Sequence, residues 1–384
     1  MGCSGKQKLT EYGFEDLRSL KVSAPDEEVR KKVKEIWDDI AKPLDGLGDF
    51  EELFCRIGAI KGSTDLCLSK KALVIMCSDN GIVREGVSQS DSSVTLSVLK
   101  NMVRGRSSVA VMAEKNGIDV FVYDVGVDSD DIPKGCIDRK IGHGTKDFYI
   151  EPAMSREETI KAINVGIGAV KECKDNGYDM ILTGEMGIGN TTTSSAVSAS
   201  LLGRIKELGK DKKGNELKEI SNIDLLAEKI TGRGAGLDDK KLENKKRIIK
   251  EAIKKYSLLN ADPLTVLSSV GGFDIAALTG VCIGGALFDI PIILDGVITL
   301  TAALTAEELF PGVKDYLILS HKGKEPASEM IAERLQMKAV IDADMALGEG
   351  TGAVMMMSLL EDALSVYKNA SRFSEIEVEN YLRN

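Results

Sequence analysis

Five short apolar runs punctuate the chain without alternating polar positions: Ala72–Cys77, Asp119–Val125, Asp179–Thr183, Ile290–Leu294 and Tyr316–Ser320. A strand that is apolar on both sides must be covered on both sides, which is the pattern of parallel strands inside a sheet. Helical periodicity fills the intervals. Ser155-Arg156-Glu157-Glu158 has the form of a capping box, and Ile160, Ile163, Ile167 and Val170 follow at three- and four-residue spacing. Strands alternating with helices predict βαβ units, hence a Rossmann-like α/β fold with a parallel sheet and helices on both faces.

The two ends of the chain read differently. Pro25 marks a first helical turn, with Val29, Val33, Ile36, Trp37 and Ile40 on one face and Pro43 stopping the pattern. Ala353–Val366 reads as a long apolar helix. Two helical ends around an α/β centre predict a small helical domain from residues 1–60 and 355–384, beside an α/β catalytic domain over 61–354. Residues 204–222 are dense in charge and read as a solvated insertion in the larger domain.

Composition narrows the function classes. The 384 residues carry 50 Lys+Arg against 60 Asp+Glu, a net charge of −10, which gives no broad cationic surface for nucleic acid. No stretch approaches 18 apolar residues, so no membrane span is expected. Met1–Lys6 lacks the apolar run of a signal peptide, and Lys6 stands where a myristoylation signal needs Ser or Thr. The seven cysteines are scattered and never in C-x-x-C spacing; Cys77 and Cys282 fall in apolar runs and read as buried hydrophobes. A cytoplasmic protein is expected. With only His143 and His321, far apart, neither a zinc site nor a Ser-His-Asp triad is supported, and acid–base work falls to carboxylates.

Four segments could carry chemistry. In Ile181–Thr192 a strand runs into the glycine-rich turn Gly184-Glu185-Met186-Gly187-Ile188-Gly189 and opens a helix at Asn190. Such a turn lets backbone N–H groups approach an anion, although it also serves as a plain strand–helix connection. Asn190 replaces the lysine of a Walker A loop, and Glu185 would repel a pyrophosphate, so an NTPase or a bare dinucleotide cradle is disfavoured. Leu347-Gly348-Glu349-Gly350-Thr351-Gly352 sets a carboxylate between glycines ahead of a helix, either presented to a ligand or simply favoured in a first turn. Thr231–Asp239, followed by Lys245 and Lys246, reads as a second anion loop or a flexible connection. Ser78-Asp79-Asn80-Gly81, Asp295-Gly296 and Ser320-His321 all end strands, where open α/β sheets bind ligands.

From about Lys42 to about Phe373 these residues resemble the nicotinate-nucleotide–dimethylbenzimidazole phosphoribosyltransferase family. The likeness rests on Ser78–Gly81 through Glu85–Ser88, Asn101–Gly105, Asp124–Gly126, Pro152–Arg156, Gly184–Gly187 with Asn190–Thr192, Val270–Asp274, Leu294–Gly296, Ser320-His321 and Leu347–Gly350, all in one order. The resemblance implies transfer of 5-phosphoribosyl from nicotinate mononucleotide to a benzimidazole-type base, by a homodimer with no metal and no cofactor. It implies Glu349 as general base, with Glu185 stabilising the cationic sugar or assisting the base. It places Gly187, Gly189, Asn190, Thr191, Gly234, Lys245, Asp295 and Gly350 around the ribose phosphate and nicotinate, and Asp79, Ser88 and Ser92 toward the acceptor. The chain departs from the family pattern at Asn80, where His is common, in the polar run Ser88–Ser93, and in the 204–222 insertion. A phenolic or purine acceptor, and a non-catalytic nucleotide-binding module, are the competing readings.

Overall fold

The computed structural model describes residues 12–13, 19–204, 206–210, 216–219, 223–381 and 383, with backbone alone at 206–210 and 216–219. The expectation for the first six residues falls outside these, as does much of that for the charged insertion. Of the insertion, the strands Lys206–Lys210 (β5) and Glu216–Glu219 (β6) pair antiparallel.

The main sheet is built from Lys71–Ser78 (β1), Ile118–Gly126 (β2), Ile137–Asp138 (β3), Met180–Met186 (β4), Ile292–Leu294 (β7) and Leu317–Leu319 (β8). Every pairing is parallel, in the order β3-β2-β1-β4-β7-β8. Alternate residues of β1 feed two cores. Ala72, Val74 and Met76 pack with the helices Arg156–Asp175, Asn190–Leu202, Phe273–Leu287 and Val297–Leu309. Leu73, Ile75 and Cys77 pack with Glu27–Asp39, Asp49–Lys61, Ser108–Lys115 and Thr351–Asn369. Both faces are therefore covered, which is why the strands read as continuous apolar runs.

Local signals behave as their chemistry dictates. Ser155 Oγ accepts from Glu158 N–H at 3.1 Å and Glu158 Oε2 accepts from Ser155 N–H at 2.7 Å, closing the capping box. Helix Glu27–Asp39 starts at Glu27 rather than in a turn containing Pro25, because the Asp26 carboxylate caps it, accepting from Glu28 and Val29 N–H. The Trp37 ring lies 6.1 Å from Phe54 and 5.1 Å from Tyr367, and Phe54 stacks 6.4 Å from Tyr367, so helices from the two ends of the chain share one aromatic cluster.

The connections run outward from the centre of the sheet: β1 leads to β2 and β3 on one side, β4 to β7 and β8 on the other. The switch point lies between β1 and β4. At their carboxyl ends stand Ser78–Gly81 and Glu185–Asn190, where such a fold opens a crevice for a ligand.

Candidate active site

The crevice is a cleft of about 220 Å³ lined from four directions. Glu185, Gly187, Asn190 and Thr191 come from the β4 turn, Gly234 from the loop before helix Asp239–Lys255, Asp295 from the end of β7, and Leu347 and Gly348 from the approach to the last helix. His321–Gly323 (β9) and Ile341–Met345 (β10) form a small parallel pair at its mouth. A larger open cavity of about 650 Å³ lies at the start of β2, around Gly117–Asp119, at the opposite end of the strands.

Glu349 is held in an unusual backbone state. Gly348, Glu349 and Gly350 have φ of 82°, 62° and 104°, so a non-glycine residue sits in the left-handed region between two glycines. That conformation is disfavoured for a residue with a Cβ, and it persists only where its surroundings impose it. Here Asp295 imposes it: its carboxylate accepts from the amides of Gly350 at 3.0 Å, Gly352 at 2.8 Å and Ala353 at 3.3 Å. These are N–H groups that the last helix cannot satisfy itself, and the anion also complements the helix dipole. Asp295, expected near the substrate, is thus first an anchor for Glu349. Burial raises the Asp295 carboxyl, while His321 and the three amides oppose that rise.

Glu349 itself is half-buried, and Val109 N–H reaches its Oε2 at 3.5 Å. Burial raises its pKa, and the charge of Asp295 adds to the rise. Glu185 faces the same turn, with Glu349 N–H 3.5 Å from its Oε1. Burial, with the charges of Asp274 and Asp295, pushes Glu185 up to about 8, although Asn190 donates to it. Two carboxyls with raised pKa therefore adjoin at the edge of the cleft, which Glu185 lines, the electrostatic pattern of proton-transfer sites.

The opposite chemistry lies at the far side of the β4 turn. Lys245 is fully buried, and its Nζ donates to Thr191 Oγ1 and to the Gly232 carbonyl, both at 3.1 Å. Burial lowers its pKa to about 8, with Glu325 opposing. Glu325 also accepts from Gly234 N–H at 2.9 Å, fixing the loop across from Thr191. Within the turn, Ile188 N–H is taken by Thr95 Oγ1 at 3.2 Å and Asn190 N–H by the Gly187 carbonyl at 3.1 Å. Gly189 is the cap residue of helix Asn190–Leu202.

The structure divides the other expected residues. Asp79 and Ser92 line a neighbouring cavity of about 290 Å³ together with Arg84 and His143. Asp79 Oδ2 accepts from Asp128 N–H at 2.9 Å, lacing the ends of β1 and β2 together. Ser88 lines a third, small cavity against Gly187–Thr191. Asn80 is fully buried beneath the β4 turn. Asn190 does not point at the cradle: its Nδ2 donates to Glu185 and, at 3.2 Å, to Asp274. Ser320 Oγ and Asp295 both approach the same His321 nitrogen, Nδ1, at 2.9 and 3.9 Å, which is not the relay of a hydrolase triad.

Sequence reasoning missed Asp274, Glu325 and Thr95 as parts of the site. For Lys245 a signal was present: with Ile248, Ile249 and Ala252 it occupies the apolar stripe of its helix, where a lysine has no packing reason to be. The close approach of β4 to the Glu349 turn gives a test. A Cβ on Gly184 would lie 2.4 Å from the Glu349 carbonyl oxygen. Gly184→Ala should lower stability by about 1–3 kcal/mol, read as a fall in the urea midpoint.

The sequence profile of a phosphoribosyltransferase family matches residues 22–378. A nicotinate-nucleotide–dimethylbenzimidazole phosphoribosyltransferase of Clostridium perfringens is 39% identical over 355 residues, 92% of each chain. The enzyme of that name from Acetivibrio thermocellus is 41% identical over 344 residues, 90% of this chain and 92% of the relative. The crystal structure of CobT from Thermus thermophilus superposes with a TM-score of 0.82 at 32% identity, covering 92% of this chain and all of that one. With one shared architecture and such identity along most of its length, the chain belongs to the nicotinate-nucleotide–dimethylbenzimidazole phosphoribosyltransferase family.

Proposed function

We propose that this protein transfers 5-phosphoribosyl from nicotinate mononucleotide to 5,6-dimethylbenzimidazole or a related base, giving α-ribazole 5′-phosphate and nicotinate for cobamide nucleotide-loop synthesis. The observation that supports the reading is the polarity of the β4 turn: Glu185 at its start sits beside the Glu349 turn, and both carboxyls are raised, while Thr191 at its end is bonded to buried Lys245. The donor nucleotide has matching polarity, with a phosphate at one end and a cationic N-glycosidic bond at the other.

The turn amides and Lys245 hold the 5′-phosphate and so fix the sugar. The C1′–N bond to nicotinate breaks with its electrons going to the ring nitrogen, which neutralises the pyridinium and needs little acid assistance. Glu185, in the ionised form that a cationic sugar favours, faces the positive charge that grows there. The acceptor nitrogen attacks C1′ from the opposite face, inverting the anomeric configuration, and Glu349 takes its ring proton. Asp295 holds the Glu349 turn in place throughout.

The same reading divides the chain into a catalytic unit over 61–354, with the 204–222 insertion outside the catalytic rim, and a small helical unit from 1–60 and 355–384. It makes the protein a cytoplasmic homodimer that binds neither nucleic acid nor membrane; among the described residues no helix is long and apolar enough to cross one. Asp79, Ser88 and Ser92 shape the acceptor end from the neighbouring cavities, and their polarity supports tolerance of hydroxylated benzimidazoles or purines.

The test is nicotinate release followed by chromatography with nicotinate mononucleotide and a panel of acceptors. Release should require an acceptor, should be fastest with dimethylbenzimidazole, and should persist in EDTA. Release with phenols or purines alone would replace the acceptor. Tight nucleotide binding without release on any acceptor would favour the non-catalytic reading.

A further inference from the structure

One fully buried carboxyl is close to this chemistry yet has no part in the steps above. Asp274 opens helix Phe273–Leu287, and its side chain is completely enclosed. Its Oδ1 accepts from Ile275 N–H at 2.9 Å, and its Oδ2 accepts from Asn190 Nδ2 at 3.2 Å. Asn80, just past the end of β1, also favours its charged form. The same Asn190 nitrogen donates to Glu185 Oε2, so one amide bridges a buried acid and the acid that faces the cleft. The fit is tight around the bridge: a Cβ on Gly187 would stand 2.7 Å from Asp274 Oδ2, and one on Gly272 2.4 Å from Asp274 Oδ1.

We propose that Asp274 is a positioning residue for the transfer: acting through the Asn190 amide, it orients the Glu185 carboxyl toward the sugar. An unanchored Asn190 amide could turn over and present its oxygen to Glu185, and two acceptors would then repel. With Asp274 as a second acceptor the nitrogen must face both carboxyls, so Glu185 always receives a donor. The arrangement also has an electrostatic effect, because Asp274 is a like charge for Glu185 while the Asn190 N–H is a stabilising partner. The other groups facing Glu185 are Asp295 with its neighbour His321, Glu349 on its turn and the buried Cys77 thiol on β1.

This inference rests on the transferase reading, so its test includes a measurement that needs no turnover. Titration of Glu185 in the unliganded protein, followed by carboxyl carbon NMR, should give opposite shifts in two variants. Asp274→Asn removes a like charge and should lower the Glu185 pKa by about one unit. Asn190→Ser keeps Asp274 but removes the bridge, and should raise it. If Asp274→Asn does not fold, Asp274→Ser, which also removes the charge, is measured in its place. In turnover, Asp274→Asn should lower kcat at least tenfold with KM for nicotinate mononucleotide changed less than threefold. In a Glu185→Gln background the same substitution should cost less than threefold more, because its effect passes through Glu185. Undiminished loss in that background, or a Glu185 titration that neither variant moves, would overturn the proposal. A wild-type protein that turns over no substrate would overturn the transferase reading, while the opposite NMR shifts would still report the link.

Discussion

Glu349→Gln is expected to reduce kcat by about 10²–10⁴-fold, or roughly 3–5 kcal/mol of barrier, while nicotinate mononucleotide still binds. Glutamine keeps the shape of the side chain and its acceptor toward Val109 N–H, but it cannot take the acceptor's proton. The pH dependence should identify the same group. Only ionised Glu349 acts as a base, and burial raises its pKa, so kcat/KM should fall as pH drops through a value above the usual carboxylate range. The variant should lose that limb. Its backbone should not be blamed for the loss, since Asp295 still anchors Gly350 and Gly352. Near-normal turnover in the glutamine variant would remove Glu349 from the reaction.

Lys245→Ala should raise KM for nicotinate mononucleotide by about 10- to 150-fold, the range for losing one charge-assisted bond of roughly 1.5–3 kcal/mol. The effect should shrink toward unity with the phosphate-free riboside, because the lysine has then lost its partner. Equal damage with both substrates would mean that Lys245 holds the loop at Gly232 rather than a phosphate. A stability measurement separates these roles. Lys245 is a base whose pKa is depressed to about 8 from 10.5, so the unfolded chain binds more protons between those values. The unliganded protein should therefore gain stability from this group as pH rises from about 8 to 10.5, and carry the full burial penalty, on the order of 3 kcal/mol, below that window. Lys245→Met should abolish that pH dependence and leave the unliganded fold at least as stable near neutral pH, although phosphate recognition is lost.

The parallel sheet was legible because its strands are buried on both faces: the run Ala72–Cys77 falls within β1, and Asp119–Val125 within β2. Helix Phe273–Leu287 escaped the same reading because it is buried all round and shows no amphipathic stripe. Glu349 was visible as a carboxylate between glycines, but the sequence left open a plain first-turn glutamate; the positive φ of all three residues came only with the fold. Asp295 was visible as a polar strand end, but its function as an anchor was not, because its three partners lie 55 to 58 residues along the chain. The Glu185–Asn190–Asp274 bridge was hidden for the same reason, with 84 residues separating Asn190 from Asp274. Asn190 was read as part of the cradle from its place in the turn; its side chain instead answers two carboxyls that the fold brings beneath it.

The most direct measurement is the anomeric configuration and stoichiometry of the product. Wild-type protein incubated with β-nicotinate mononucleotide and dimethylbenzimidazole should release one nicotinate for each α-ribazole 5′-phosphate, identified by mass and by the anomeric proton signal. Nicotinate released with ribose 5-phosphate but no base-linked product, or a product that retains the β configuration, would contradict direct attack on C1′ by a base that Glu349 deprotonates.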